Sequence, residues 1–269
     1  MFLVGHSHNK KKRTDIPEDK IGNGITNNIN KVIGVASGKG GVGKSSVTAL
    51  TAISLSREGY KVGILDADLT GPSIPRLFGV DAIPEQMELG ILPVKSKNNI
   101  IIMSVNLLLE NKDDPVLWRG PILSGVIKQF WEEVIWAHLD YLLIDLPPGT
   151  GDIPLTVMQT IPVDEVIMVT GPQDVTNLIV KKSIRMMEKM EIPVLGVVEN
   201  MAYITCPGCS EIIKPFGESF AGAMAEECGL ELITSLETDP ELIALANQGK
   251  IEDYNGKNME RIEKLVEKL

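Results

Sequence analysis

The distribution of apolar residues along the chain predicts alternating strands and helices from residue 31 onward. Short segments made almost wholly of Val, Ile and Leu are typical of strands that are buried on both faces of a sheet. Longer segments with apolar residues at every third or fourth position are typical of helices that pack on such a sheet. The predicted strands are residues 32–36, 61–65, 100–105, 141–146, 165–170, 194–198 and 232–234. The predicted helices are residues 45–58, 122–138, 175–191, 219–228, 240–248 and 259–269.

This alternation predicts an α/β fold with a doubly wound, mostly parallel sheet. Residues 31–269 are expected to form a single domain, because a chain of 269 residues can bury one large core. Residues 1–30 are expected to form a polar, flexible tail, since they include a basic run at residues 10–13 and few core-forming residues. Ligands of such sheets bind outside the carboxyl ends of the strands, so the residues that follow each strand are the candidates for function.

The segment after the first predicted strand reads Gly-Lys-Gly-Gly-Val-Gly-Lys-Ser and forms a complete phosphate-binding motif. Glycines allow backbone N–H groups to converge on phosphate oxygens, and the following helix directs the positive end of its dipole at them. Lys44 is expected to contact the β- and γ-phosphates of ATP, and the Ser45 hydroxyl is expected to bind Mg²⁺. A glycine-rich turn without a ligand is the alternative. The predicted nucleotide-binding residues are Gly38, Lys39, Gly40, Gly41, Val42, Gly43, Lys44, Ser45 and Ser46.

Carboxylates stand at the ends of two further predicted strands. Asp66 and Asp68 follow the strand at residues 61–65, whereas Asp145 lies at the end of an apolar run and precedes Asp152. An acidic residue at the end of a core strand can hold Mg²⁺ in a phosphate-loop enzyme, and Asp145 is expected in that role. Asp68 is expected to take part in hydrolysis, while for Asp66 and Asp152 a purely structural role, such as capping a turn, is an equally good interpretation.

Cys206-Pro-Gly-Cys209 is a C-x-x-C motif that follows the strand at residues 194–198. It lacks the four ligands of a complete zinc site, since the chain has no second C-x-x-C motif and no nearby histidine. Half of a metal site shared by two copies needs only two thiolates per chain, and four thiolates suit zinc or an iron–sulfur cluster. A redox pair and a turn without a ligand are the other interpretations. Cys228 lies in a predicted amphipathic helix and is expected to be a buried apolar residue.

Composition and charge make several classes of function unfavourable. A formal net charge of −10 disfavours nucleic-acid binding, which needs a basic surface. The longest apolar stretch is too short to span a bilayer and the first residues do not form a secretory signal, so no membrane association and a cytoplasmic location are expected. Three cysteines in a chain of this length do not indicate a disulfide framework.

Together, these motifs resemble the Mrp/ApbC family of iron–sulfur cluster carrier ATPases. The segment 38–46 is similar to the deviant Walker A motif of the MinD, ParA and nitrogenase iron protein class. Within that class, the resemblance to Mrp/ApbC rests on residues 66–73, 118–121, 145–152 and 200–209. One departure is Ser235, which stands where the family usually has a proline near the adenine.

For the nucleotide, the resemblance implies slow ATP hydrolysis in a homodimer that binds ATP near its interface. Lys39 would reach the phosphates of the partner chain, while Lys44 would act within its own chain. Asp68 would position the hydrolytic water, and Asp145 would belong to the second switch segment. Asn200 would contact the adenine base.

For the cysteines, the resemblance implies a [4Fe–4S] cluster that Cys206 and Cys209 hold together with the same pair of the partner chain. The cluster would be transferred to apo iron–sulfur proteins. A positioning ATPase of the MinD or ParA kind is one alternative, although the acidic charge and the mixed charges of the C-terminal helix disfavour DNA and membrane binding. An ATP-dependent carrier of another metal is the third hypothesis, because thiolates also bind zinc.

Overall fold

The computed structural model describes residues 27–68, 71–108 and 120–269, without the side chains of residues 120–123 and 174–177. Its strands are β1 (Asn28–Ser37), β2 (Val62–Asp66), β3 (Glu85–Met87), β4 (Gly90–Leu92), β5 (Val94–Lys95), β6 (Ile101–Ser104), β7 (His138–Asp145), β8 (Glu165–Thr170), β9 (Val194–Thr205), β10 (Ile212–Ile213) and β11 (Leu232–Glu237). Its α-helices are α1 (Lys44–Arg57), α2 (Ile74–Phe78), α3 (Gly120–Glu132), α4 (Asp152–Thr160), α5 (Asp174–Lys189), α6 (Ala221–Glu227), α7 (Pro240–Asn247) and α8 (Lys257–Val266). Short 3₁₀ turns cover Val105–Leu107 and Ile251–Asp253.

One nine-stranded sheet organises the described residues, in the order β10-β9-β8-β1-β7-β2-β6-β5, with β11 also paired to β9. Its strand pairs are parallel except β5 with β6 and β10 with β9. The prediction of an α/β fold with a mostly parallel sheet is therefore confirmed. Strand β1 lies between β7 and β8, so the loop at its carboxyl end occupies the middle of the sheet edge, where ligands of such folds bind.

Two apolar clusters cover the two faces of this sheet. Along β1, Ile33 and Val35 belong to one cluster and Val32 and Ala36 to the other, since successive side chains of a strand point to opposite faces. Helices α1, α2, α7 and α8 contribute to the first cluster, and α3, α4, α5 and α6 contribute to the second. Burial on both faces explains why the strands read as continuous apolar runs.

The N-terminal boundary of the domain differs from the prediction. Strand β1 begins at Asn28, and Asn28 and Ile29 are register partners of residues in β7. Residues 28–30 therefore belong to the sheet and not to the predicted tail of residues 1–30, because pairing with β7 satisfies their backbone despite their polar composition. The basic run at residues 10–13 lies outside the described residues, as do residues 118 and 119 of the motif at 118–121, whereas residues 120 and 121 begin α3.

Strand β9 is much longer than predicted, and this difference matters for function. The apolar pattern ended at Val198, whereas the strand continues to Thr205 through Glu199 and Asn200. Both polar side chains are almost fully buried, with 2% and 7% exposure, because each has hydrogen-bond partners inside the fold. The strand therefore ends directly before Cys206.

The predicted helix at residues 122–138 is also shorter, since α3 ends at Glu132 and His138 already begins β7. The short helices α2 and α4 were not expected from the sequence. Across the described ranges, no helix is both long and apolar enough to span a membrane.

Candidate functional site

The phosphate-binding motif forms the connection between β1 and α1. Gly43 has a φ of 77°, which favours glycine, and a Cβ there would lie 2.2 Å from Asn200 Nδ2. A Cβ at Gly38 would lie 2.7 Å from the backbone nitrogen of Val180 in α5. These two glycines are therefore required by backbone conformation and by close approach of neighbouring elements. The helix α1 begins directly after the loop, at Lys44.

Asp145 is the centre of a buried polar cluster beneath this loop. Its Oδ2 accepts a hydrogen bond of 2.6 Å from the Ser45 hydroxyl and lies 2.7 Å from Lys44 Nζ. Its Oδ1 accepts a hydrogen bond of 2.7 Å from the Thr48 hydroxyl. The Lys44 ammonium is buried and has this ion pair, but it makes no hydrogen bond to the described residues. Its N–H donors are therefore available to an anion in the loop.

The contact of Thr48 with Asp145 was not predicted from the sequence, although the position of Thr48 relative to Lys44 indicates it. Thr48 lies one helical turn beyond Lys44, so both side chains lie on the same face of α1. A hydroxyl at that spacing from a phosphate-loop lysine can reach the same carboxylate.

Asp66 lies beside Asp145, because these two residues are register partners on the adjacent parallel strands β2 and β7. Its Oδ2 accepts hydrogen bonds from the backbone N–H groups of Ser73 at 3.0 Å and Ile74 at 3.1 Å. Its Oδ1 accepts one from the N–H of Asp68 at 3.3 Å. Complete burial and the negative charge of Asp145 raise the pKa of Asp66 to about 8. Asp66 therefore holds the segment that follows β2 in place, which is the turn-capping arrangement.

The other predicted residues around the loop are closer to the surface. Asp68 and Ser46 are partly buried, whereas Lys39 is exposed. Asp68 is tied to the buried cluster through its backbone contact with Asp66. Asp152 is exposed as the first residue of α4, so it lies outside the buried cluster.

Asn200 contacts the phosphate loop itself. Its Nδ2 donates a hydrogen bond of 3.0 Å to the Val42 carbonyl, and its Oδ1 accepts one of 2.9 Å from the N–H of Met201. One donor and one acceptor of this buried amide are therefore engaged by the backbone. This arrangement gives Asn200 a part in fixing the loop, while its contact with adenine stays a prediction.

Ser235, the departure from the family pattern, has a partner next to Asn200. Its hydroxyl donates a hydrogen bond of 2.7 Å to Glu199 Oε2, and the Ser219 hydroxyl donates to Glu199 Oε1. Proline could not supply this donor. The serine therefore helps to accommodate a buried carboxylate in β9.

A cavity of about 230 Å³ opens beside the phosphate loop. Residues 39–42 of the loop line it together with residues 171–173, which follow β8. Met201 of β9 and Phe216, which lies beyond the cysteine motif, complete the described lining. The cavity is therefore bordered by the loop and by both sides of the cysteine-bearing segment.

Cys206 and Cys209 lie in the turn between β9 and β10. The Cys206 N–H donates to the Glu211 carbonyl at 2.9 Å, and the Ser210 N–H donates to the Cys206 carbonyl at 2.9 Å. The backbone N–H groups of Gly208 and Cys209 point at the Cys206 sulfur and lower the pKa of that thiol. Cys206 is partly exposed and Cys209 is exposed, so this hairpin presents two accessible thiols.

The cysteine pair offers two sulfur atoms, which is fewer than the ligands of a complete metal site. In the part of the chain that the structure describes, no group of three or more His, Cys, Asp or Glu side chains could hold a metal ion. Cys228 ends α6, is partly buried against the second apolar cluster, and has its thiol pKa raised by that burial. A four-coordinate metal or cluster at Cys206 and Cys209 would therefore need further ligands from outside the described residues of this chain.

Solved structures of an ATPase and of a nucleotide-binding protein share this fold, and the matching family model describes it as that of a P-loop NTPase. The cell division ATPase MinD of Pyrococcus furiosus has a TM-score of 0.65 at 24% identity, covering 89% of this chain and 98% of that one, and shows the shared fold. A nucleotide-binding protein of Archaeoglobus fulgidus, in complex with ADP, has a TM-score of 0.76 at 45% identity. That similarity covers 85% of this chain and 90% of the other.

Sequence comparison defines the family more narrowly. The model of the ParA family described as NUBPL iron-transfer P-loop NTPase matches residues 28–269, and the chain belongs to this family. The iron-sulfur cluster carrier protein of Clostridium perfringens is 49% identical over 239 residues, which are 86% of this chain and 84% of the relative. A cytosolic Fe-S cluster assembly factor NUBP2 homolog of Culex quinquefasciatus is 44% identical, covering 82% of this chain and 89% of the relative. The predicted family resemblance is thus confirmed.

Proposed function

We propose that this protein is an ATP-hydrolysing carrier that binds a [4Fe–4S] cluster between two copies of the chain and transfers it to apo iron–sulfur proteins. The observation that carries the proposal is the accessible cysteine pair, which offers two thiols and lies in an iron-transfer NTPase. Relatives named for cluster carriage and cluster assembly support it. The acidic charge disfavours nucleic-acid partners. A relative named as a cytosolic assembly factor supports a cytoplasmic location, and no described helix could span a membrane.

The polar side chains around Asp145 are suited to bind Mg²⁺ and ATP. Hydroxyl and carboxylate oxygens are the ligands that Mg²⁺ prefers, so Ser45 and Asp145 would hold the ion. When bound, Mg²⁺ neutralises charge on the phosphates during their transfer. Lys44 would exchange its ion pair with Asp145 for contacts to the β- and γ-phosphates, and Asp68 would orient the attacking water. The relative from Archaeoglobus fulgidus, which was solved with ADP, supports this site.

Dimer formation would join the two halves of the cluster site. Lys39 is exposed beside the cavity at the phosphate loop, and it would reach the phosphates of the partner chain. Lysines that face each other across a two-fold axis repel until phosphate is bound, so ATP would favour the closed dimer. Hydrolysis, which we propose to be slow, would then reopen the dimer and release the cluster.

Anaerobic reconstitution with iron and sulfide tests the carrier function. We expect the wild-type protein to gain the charge-transfer absorbance of a [4Fe–4S] cluster and to elute as a dimer with one cluster per two chains. The Cys206→Ser and Cys209→Ser variants should lose both properties. The Cys228→Ser variant is the matched control and should load normally, because Cys228 packs against the core.

Three outcomes would contradict this proposal. Absence of a cluster in the wild type, or equal loading of the Cys206→Ser variant, would exclude these thiols as the cluster site. A colourless dimer that contains zinc after exposure to both metals would favour a carrier of another metal. A loaded protein that fails to activate an apo-protein requiring a [4Fe–4S] cluster would exclude the transfer step.

A further inference from the structure

The cysteine hairpin is connected to the phosphate loop on both sides of the C-x-x-C motif. Before the motif, Asn200 of β9 donates a hydrogen bond of 3.0 Å to the carbonyl of Val42 in the loop. After the motif, Phe216 lines the same cavity as loop residues 39–42. The segment that presents Cys206 and Cys209 therefore contacts the loop before the motif and borders the cavity beside the loop after it.

The first connection is a stiff one. Strand β9 is hydrogen-bonded to β8 and β11, and its last residues also pair with β10. The Thr205 hydroxyl adds a hydrogen bond of 2.5 Å to Glu237 in β11, next to Cys206. A displacement of Asn200 would thus be carried along the strand to the cysteines, because paired strands resist local bending.

The second connection depends on one side chain. Phe216 is 46% exposed and lines the cavity, whereas Phe220 is 47% exposed and does not belong to its described lining. Single exposed aromatic residues are common on protein surfaces, so exposure alone does not distinguish Phe216. Its place in the lining of the cavity beside the phosphate loop does.

Phosphate binding would alter the loop at the Asn200 contact and at the wall of the cavity that Phe216 also lines. It would draw Lys44 away from Asp145 and fix the loop N–H groups, and the loop includes Val42, the acceptor of the Asn200 bond. We infer that Phe216 is a positioning residue that, together with Asn200, transmits the nucleotide state of the loop to Cys206 and Cys209 within one chain. This inference rests on the proposed nucleotide and cluster sites and adds the route between them.

Thiol labelling of the cluster-free protein tests this route. In the Cys228→Ser background, the rate at which a maleimide reacts with Cys206 and Cys209 is measured with and without a Mg²⁺-bound, non-hydrolysable ATP analogue. We expect the nucleotide to change the rate by about fivefold, the lower end of typical coupling between two sites. The change should be independent of protein concentration, because the route lies within one chain.

Phe216→Ala should weaken the nucleotide effect to the part that the Asn200 connection carries, with the affinity for the analogue and the midpoint of thermal unfolding unchanged. Phe220→Ala, matched in side chain and exposure, should retain the effect. The inference is overturned if Phe216→Ala keeps the wild-type response, if both variants lose it equally, or if the wild type shows none. It is also overturned if the response scales with protein concentration, which would indicate dimer closure, or if Phe216→Ala mainly weakens nucleotide binding. The assay needs no cluster, so its failure is distinguishable from a failure of cluster loading.

Discussion

The phosphate loop and the cysteine hairpin differ in how far a single chain completes each site. At the loop, Asp145 already has contacts to Lys44, Ser45 and Thr48, and its carboxylate is fully buried. At the hairpin, Cys206 and Cys209 supply two thiols at the surface. The polar groups at the phosphate loop are thus preorganised, whereas the described residues at the hairpin present two thiols without a further His, Cys, Asp or Glu side chain to complete a metal-binding group.

The charged groups of the two regions also differ: those at the loop are buried, and those at the hairpin are accessible. Beneath the loop, two adjacent carboxylates face the single ammonium of Lys44, and burial raises the pKa of Asp66 to about 8. At the hairpin, backbone N–H groups lower the pKa of the Cys206 thiol and so favour its thiolate form, and this side chain is partly exposed to solvent. The buried charged groups at the loop are held in one geometry, whereas the thiols at the hairpin are accessible from solvent.

The largest effect is expected from Lys44→Ala, which separates the two regions. Removal of the ammonium takes away a positive charge from the β- and γ-phosphates, so ATP turnover should fall by about 10²–10³-fold. Cluster uptake by Cys206 and Cys209 should be unchanged, since the hairpin does not depend on the Asp145 ion pair. Both are measured on one preparation, as phosphate release and as absorbance after reconstitution.

Lys182→Ala is the control for this substitution, because Lys182 is an exposed lysine of α5. This variant should keep the ATP turnover and the cluster uptake of the wild type. Unchanged turnover in Lys44→Ala would contradict the assignment of the nucleotide site, and loss of cluster uptake would contradict the separation of the two regions.

The next effect concerns the pH dependence of stability, through Asp66. Between its ordinary pKa of 3.8 and its folded pKa of about 8, the folded state retains a proton that the unfolded state has released. The contribution of Asp66 to the free energy of unfolding is therefore fully present below pH 3.8, and it is lost as the pH rises towards 8. Relative to Asp66→Asn, whose amide resembles the protonated acid in shape, the wild type should lose up to about 1.4 kcal/mol per pH unit in this window.

Urea unfolding of both proteins at several pH values from about 5 to 8 measures this difference. Asp253→Asn is the control: Asp253 is exposed and its pKa is lowered by Lys97, so its contribution is lost only as pH falls below its ordinary value. If the free energies of unfolding of the wild type and Asp66→Asn change with pH in parallel, the folded protein does not keep Asp66 protonated in this pH range.

The smallest effect is expected from Ser235→Ala, in the strand that supports β9 between the two regions. Loss of the hydroxyl leaves Glu199 Oε2 without the described donor in a site that is 2% exposed, which should lower the free energy of unfolding by about 1–3 kcal/mol. Ser235→Thr retains a hydroxyl and should be close to wild type. Equal stability of Ser235→Ala and wild type in urea would show that Ser219 alone satisfies Glu199.

The sequence was a good guide wherever local pattern decides structure. Apolar runs located the central strands, and the spacing of glycines and lysines located the phosphate loop between β1 and α1. It failed for β9 beyond Val198, because Glu199 and Asn200 are polar and their burial depends on partners from distant segments. It also gave no sign of the hydrogen bond of 3.4 Å from the Ser104 hydroxyl to Asp66 Oδ2, which exists because β6 pairs with β2.

The sequence alone determined the chemistry available to this protein: a loop that can hold phosphate, carboxylates at strand ends and a pair of thiols. Local spacing is sufficient for this, because each motif is contiguous. Only the tertiary structure decided how these groups relate, since strand order brings Asp66 beside Asp145 and the extended β9 joins the phosphate loop to Cys206. Such contacts between distant segments arise from the packing of the whole sheet, so no single motif predicts them.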